Sequence, residues 1–107
     1  MIRVNVFKKS HRITKVTIRG HAESDEYGKD LVCAGVSAIA TGICNTIAEK
    51  GYLEKKMCSI ELKNGNIVID ILDNDETLQV ILETLEISLR SFEDNYHEFI
   101  KITYKEE

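Results

Sequence analysis

Cys58-Ser59-Ile60-Glu61-Leu62-Lys63-Asn64-Gly65-Asn66-Ile67-Val68-Ile69-Asp70-Ile71 is the stretch from which the fold can be read. Cys58, Ile60 and Leu62 alternate onto one face, Ile67, Ile69 and Ile71 return with the same period, and Asn64-Gly65 between them suits a type I′ turn. This predicts a β-hairpin of fixed register. Upstream, Ile2, Val4 and Val6 share one face, Val16 and Ile18 oppose Lys15, Thr17 and Arg19, and a first hairpin is expected to turn through Lys8 to Arg12. Between the hairpins, from Asp30 to about Lys50, Val32, Val36, Ile39, Ile43 and Ile47 form a helical stripe that ends near Gly51. Ala34, Gly35, Ala38, Thr41 and Gly42 give that helix small side chains for close packing. Downstream, Asp73-Asn74-Asp75-Glu76 offers capping oxygens and first-turn negative charge to a second helix carrying Leu78, Leu82, Leu85, Leu89 and Phe92 on one face. Residues 98–104 then place Ile100, Ile102 and Tyr104 together on a strand. The order is ββαββαβ, and the expected fold is a two-layer α+β domain with a mostly antiparallel sheet packed against two helices.

The composition agrees with one domain over residues 1–107. Hydrophobic residues make up 43% and charged residues 30% of the chain, enough apolar material for a core and too much for disorder. No Pro/Gly/Ser-rich linker or internal repeat interrupts it. Fourteen Lys and Arg against eighteen Asp and Glu give a net charge of -4, which argues against a broad phosphate-neutralising face. No direct nucleic-acid partner is therefore expected, although a small basic patch stays open. No run of 18 apolar residues marks a membrane span, and Met1-Ile2-Arg3-Val4-Asn5-Val6 alternates like a strand rather than a signal peptide, so the expected location is cytoplasmic, away from membranes. Three cysteines at spacings of 11 and 14 fit neither a disulfide framework nor a paired zinc motif. No metal and no cofactor are expected.

The chemistry concentrates where the second strand gives way to the long helix. Gly20-His21-Ala22 leads into a polar loop, and Asp30-Leu31-Val32-Cys33 opens the helix. With Asp30 as N-cap, Cys33 falls at the third helical position, where unpaired N–H groups and the helix dipole favour a thiolate. The separation of 12 positions from His21 to Cys33 is enough for the chain to double back and bring the imidazole to the sulfur as a general base. The same helix start could also face the oxyanion of a tetrahedral intermediate. Against this stands the plainer reading: cysteines are commonly buried, Cys33 adjoins an apolar stripe, and a histidine at a strand end is commonly just a surface residue.

Gly20-His21-Ala22 followed by Gly28-Lys29-Asp30-Leu31-Val32-Cys33-Ala34-Gly35-Val36-Ser37-Ala38 resembles the hallmark of the ribosomal-processing cysteine protease family Prp, also called YsxB-like. Chain length, element order, the Asn64-Gly65 turn and the final strand extend the likeness over the whole chain. The resemblance implies that His21 and Cys33 are the catalytic pair. It implies a substrate in the N-terminal tail of ribosomal protein L27 of the large subunit, a short extension being removed. It also implies a homodimer, and a flexible loop over Ala22 to Lys29 that closes on bound peptide. Asp30 and Ser37 match further motif positions. Gly35 departs from the family, which commonly carries alanine there; a helix-interior glycine costs about 1 kcal/mol against alanine and either loosens the helix or permits close packing.

Physical reasoning adds supporting roles. Asp30 can cap the helix or orient His21 through a ring N–H, and Ser37, one turn after Cys33, can hydrogen-bond within the site or serve as a small packing residue. Glu23, Ser24, Asp25, Glu26, Tyr27 and Gly28 form the candidate substrate loop, whose acidic charge complements a basic tail. Cys44 lies about 16 Å along the helix from Cys33, too far for a disulfide, and is expected in the core together with Cys58. His11 in a turn and His97 near a helix end take no part. The leading expectation is a cysteine endopeptidase. Its alternatives are a non-catalytic ribosome-associated binding module and a redox-sensing thiol, the second of which lacks a well-placed resolving cysteine.

Overall fold

Alternating and helical periods settle into seven elements in the computed structural model, which describes residues 1–20 and 27–107, with the backbone alone for 27–30. They are β1 (Ile2–Lys9), β2 (Arg12–Arg19), α1 (Tyr27–Glu49), β3 (Cys58–Lys63), β4 (Asn66–Ile71), α2 (Glu76–Tyr96) and β5 (Ile100–Glu106). The strands form one sheet in the order β3-β4-β2-β1-β5, antiparallel except for the parallel pair β1 and β5. The predicted α+β order is the observed one.

Both hairpins turn on two residues of positive φ: Asn64 (52°) and Gly65 (78°) in the second, Ser10 (51°) and His11 (67°) in the first. Such turns match the twist of the flanking strands. Ile2, Val4 and Val6 of β1 then register with Ile18 and Val16 of β2 and with Ile100 and Ile102 of β5, so one face of the sheet becomes the floor of the core.

Two helices cover that floor. On α1 the buried line is Val32, Val36, Ala40, Cys44 and Ile47, with Ile39 and Ile43 half-buried at its margin. The predicted stripe is therefore rotated slightly toward the small residues. The C-terminus of α1 closes as a Schellman motif: Gly51 has φ +84°, its N–H donates to Ala48 O, and Tyr52 N–H donates to Ile47 O. Tyr52 then reaches the head of α2, where its hydroxyl donates to the Asp75 carboxylate. Asp75 is the N-cap and accepts from Leu78 N–H at 3.3 Å. From there α2 buries Leu78, Ile81, Leu82, Leu85 and Leu89.

Two buried polar residues escape the apolar pattern among the described residues, Thr17 on β2 and Glu86. Glu86 is 6% exposed on α2, accepts from the Tyr104 hydroxyl at 2.8 Å, and lies 3.6 Å from both Lys8 and Arg90. Desolvation first, and then the Glu86 hydrogen bond, pushes the Tyr104 phenol up to about 12. The cluster ties α2 to β1 and β5 at the far end of the sheet from Gly20.

Candidate active site

Gly20 ends β2 in a conformation that a side chain would not permit. Its φ is +91°, and a Cβ built there would lie 2.5 Å from the carbonyl oxygen of Met1. Its N–H donates to Asn66 Oδ1 at 3.2 Å. The exit of β2 toward residue 21 is thus clamped between the start of β1 and the turn of the second hairpin.

The same turn borders a cleft of about 310 Å³. One wall is Lys63 to Ile67, and the other is Ser37 and Thr41 of α1. Cys33 lies one turn before Ser37 on the same row of the helix. It is half-buried and packs against the edge of the core. The residue that precedes His21 and the helix row that carries Cys33 therefore converge on one hairpin turn. Sequence reading identified that turn by its Asn-Gly pair and missed Asn66 beside it. A half-buried amide at the first position of a strand leaves no periodic signal.

Cys44 and Cys58 are both buried, as expected. Burial pushes the Cys44 thiol up. Burial, and then the charges of Cys44 and Asp70, push Cys58 up to about 11. Both stay protonated near neutrality and make poor nucleophiles. Among the three cysteines, Cys33 is the accessible one.

The start of α1 corrects the sequence reading. The helix begins at Tyr27, three residues before the expected N-cap, so Asp30 is its fourth residue and Cys33 its seventh. Nothing in Tyr27-Gly28-Lys29 breaks a helix, and an aspartate is well tolerated in a first turn. Asp30 therefore does not cap this helix. Tyr27 and Gly28, assigned above to the substrate loop, belong to its first turn. The N–H groups freed by the helix start also belong to that turn, whereas the Cys33 N–H falls within the helical ladder, so the oxyanion donors expected at Cys33 are not supplied this way. His21, Glu23, Ser24, Asp25 and Glu26 lie outside the described residues. Ser37 is exposed and faces the cleft, while His11 and His97 are exposed away from it. Among the described residues no group of three or more His, Cys, Asp or Glu side chains is gathered to hold a metal.

Comparison with known proteins bears on the same residues. The family model for cysteine protease Prp matches residues 1–101. A ribosomal processing cysteine protease Prp from Staphylococcus aureus is 37% identical over 95 residues, covering 88% of this chain and 89% of the relative. The Bacillus subtilis protein of the same name is 29% identical over 96 residues, covering 85% of each. Among solved structures, the S. aureus protease in complex with a covalently linked product peptide superimposes with a TM-score of 0.82 at 34% identity, over 98% of this chain and 100% of the other. The same protease with a substrate peptide gives a TM-score of 0.82 at 32% identity, with the same coverage.

Proposed function

The chain belongs to the Prp family of cysteine proteases and is a hydrolase acting on peptide bonds, and from that premise we propose that it removes the N-terminal extension of ribosomal protein L27 with a Cys33/His21 dyad. In this reading His21 takes the proton from Cys33 and the sulfur attacks the scissile carbonyl carbon. The tetrahedral intermediate collapses as His21 returns the proton to the leaving amine. Water, deprotonated by His21, then adds to the thioester, and the sulfur leaves as the N-terminal product is freed. A covalently linked product peptide in the staphylococcal relative supports a covalent route.

One observation carries the assignment to these residues. The Gly20 N–H to Asn66 bond brings the chain just before His21 to the cleft that Ser37 lines, one turn from the accessible Cys33. The cleft between α1 and the hairpin turn is the binding place for the tail, and residues 22–26 supply acidic charge for a basic substrate. A homodimer and a cytoplasmic location belong to the same reading, supported by the family resemblance.

The test is incubation with a peptide spanning the extension junction of L27, followed by mass spectrometry of the products. Cys33→Ala and His21→Ala should each lower kcat/KM by at least about 10³-fold while the circular dichroism spectrum is unchanged. Full cleavage by either variant refutes the dyad. Cleavage of unrelated tails at equal rates refutes the substrate.

A further inference from the structure

The sheet face turned away from the helices bears charge of the opposite sign to the chain as a whole. Strand alternation sends Arg3, Lys15, Arg19, Lys63, Lys101 and Lys105 to this face, against only Glu61 and Asp70. The chain carries fourteen basic and eighteen acidic residues, and five of the acids, Glu76, Glu83, Glu86, Glu93 and Asp94, belong to α2 on the other side of the sheet.

The cations are also ordered. Arg3 pairs directly with Arg19 on β2 and with Lys101 on β5, and Lys63 lies across Asn66 on the far side of the sheet. Neighbouring strands are about 4.8 Å apart, so these charges form a row across the sheet at the end where β1 begins. All four are exposed, and among the described residues none of them has an ion-pair partner. Like charges placed directly opposite on adjacent strands destabilise a sheet. A row kept against that cost, with no ion-paired counter-charge among the described residues and Glu61 as the one acid beside it on the strands, fits an external polyanion. Next to it runs a neutral row, about two residues along the strands, in which exposed Thr103 flanks Asn5, whose amide donates to Thr17 at 3.2 Å.

We propose that the open sheet face is a binding surface for the backbone of single-stranded RNA, with Arg3, Arg19, Lys63 and Lys101 on phosphates and Thr103 and Asn5 toward 2′-hydroxyls. The whole-chain charge conceals this face, which departs from the expectation of no nucleic-acid partner. A second copy of the chain packed sheet to sheet would oppose like charge with like charge, and a basic protein tail would be repelled. Phe7 does not serve as a stacking platform: the ammonium groups of Lys15 and Lys105 lie 5.6 and 5.5 Å from its ring centroid. Recognition is of the backbone, not of base sequence.

Fluorescence polarisation of a labelled 20-nucleotide RNA with the intact protein tests this. Engaging three or four phosphates gives a log–log salt slope of roughly −2 to −3, a loss of affinity of roughly 20- to 50-fold between 50 and 200 mM salt. Lys101→Glu/Lys105→Glu should weaken binding at least tenfold and flatten the slope, with L27-peptide cleavage unchanged. Lys50→Glu/Lys55→Glu, beyond α1, should do neither. If the double reversal unfolds the sheet, Lys101→Gln/Lys105→Gln should still weaken binding several-fold. Absence of binding at 50 mM salt, or equal affinity in the β5 variants, overturns the proposal. Equally tight binding of polyglutamate reassigns the face to an acidic protein, and equally tight single-stranded DNA overturns the choice of RNA.

Discussion

Gly20 and Asn66 show how much a position can constrain chemistry without taking part in it. At Gly20 a methyl group has nowhere to go, because φ is +91° and the Met1 carbonyl stands 2.5 Å from the Cβ position. Gly20→Ala is expected to cost about 1–3 kcal/mol, read as a lowered urea midpoint, and to reduce kcat/KM for the tail peptide because residue 21 is displaced. A variant of native stability and activity would show that the clamp is slack. Cys58 gives a prediction in pH. Its thiol, raised by burial to about 11, holds its proton more tightly in the folded chain than in the unfolded one, where it titrates near 9. That stabilisation is complete below pH 9 and is lost as pH climbs toward 11, a fall of roughly 2 kcal/mol. Urea unfolding at steps from pH 8 to 11 measures it, and Cys58→Ser should flatten the part of the decline that this thiol causes.

At the level of elements, the contact between α1 and α2 decides where the cleft wall stands. Gly35 sits two residues from Cys33, and a Cβ there would lie 2.2 Å from Cζ of Phe92. The glycine is the condition for a close crossing, which answers the alternative of a loosened helix. Gly35→Ala gains helix propensity of about 1 kcal/mol but forces the half-buried Phe92 ring aside, and the expected net result is a loss of about 1–2 kcal/mol. Gly35→Ala/Phe92→Leu should recover most of it in the same thermal melt; a single variant that melts above the parent contradicts the account. Sequence periodicity captured the elements well because hairpins and amphipathic helices repeat locally. It placed the cap of α2 within Asp73-Asn74-Asp75-Glu76, where Asp75 takes the role, and it placed the Gly51 stop and both buried cysteines. It missed the true start of α1, because Tyr27-Gly28-Lys29 carries no apolar period to announce a helix. It missed Glu86 and Asn66, whose partners come from residues 18 and 46 positions away and leave no local trace. The helix start and the gap to His21 mark Cys33 as a candidate nucleophile, but spacing alone leaves a cysteine beside an apolar stripe ambiguous, and the resemblance is what singles the pair out.

The whole molecule divides its labour between two faces. The helices, with the acids of α2, lie on one side of the sheet and cations line the open face, so the hydrolytic step and the cationic surface belong to different parts of the molecule. In the proposed reading, raising salt should release RNA steeply while kcat at saturating tail peptide, set by Cys33 and His21, responds far less.

The parallel pairing of β1 with β5 reaches further in time than in space. Every partner in that ladder, from Ile2 with Ile100 to Lys8 with Glu106, is separated by 98 positions. During synthesis the opening strand must wait, one side unpaired, until residues 100–106 have emerged. A nascent polypeptide stalled before Ile100 leaves Ile2 and Val4 without the β5 neighbours that seal them. A peptidase of this fold therefore completes its core only once β5 has been made.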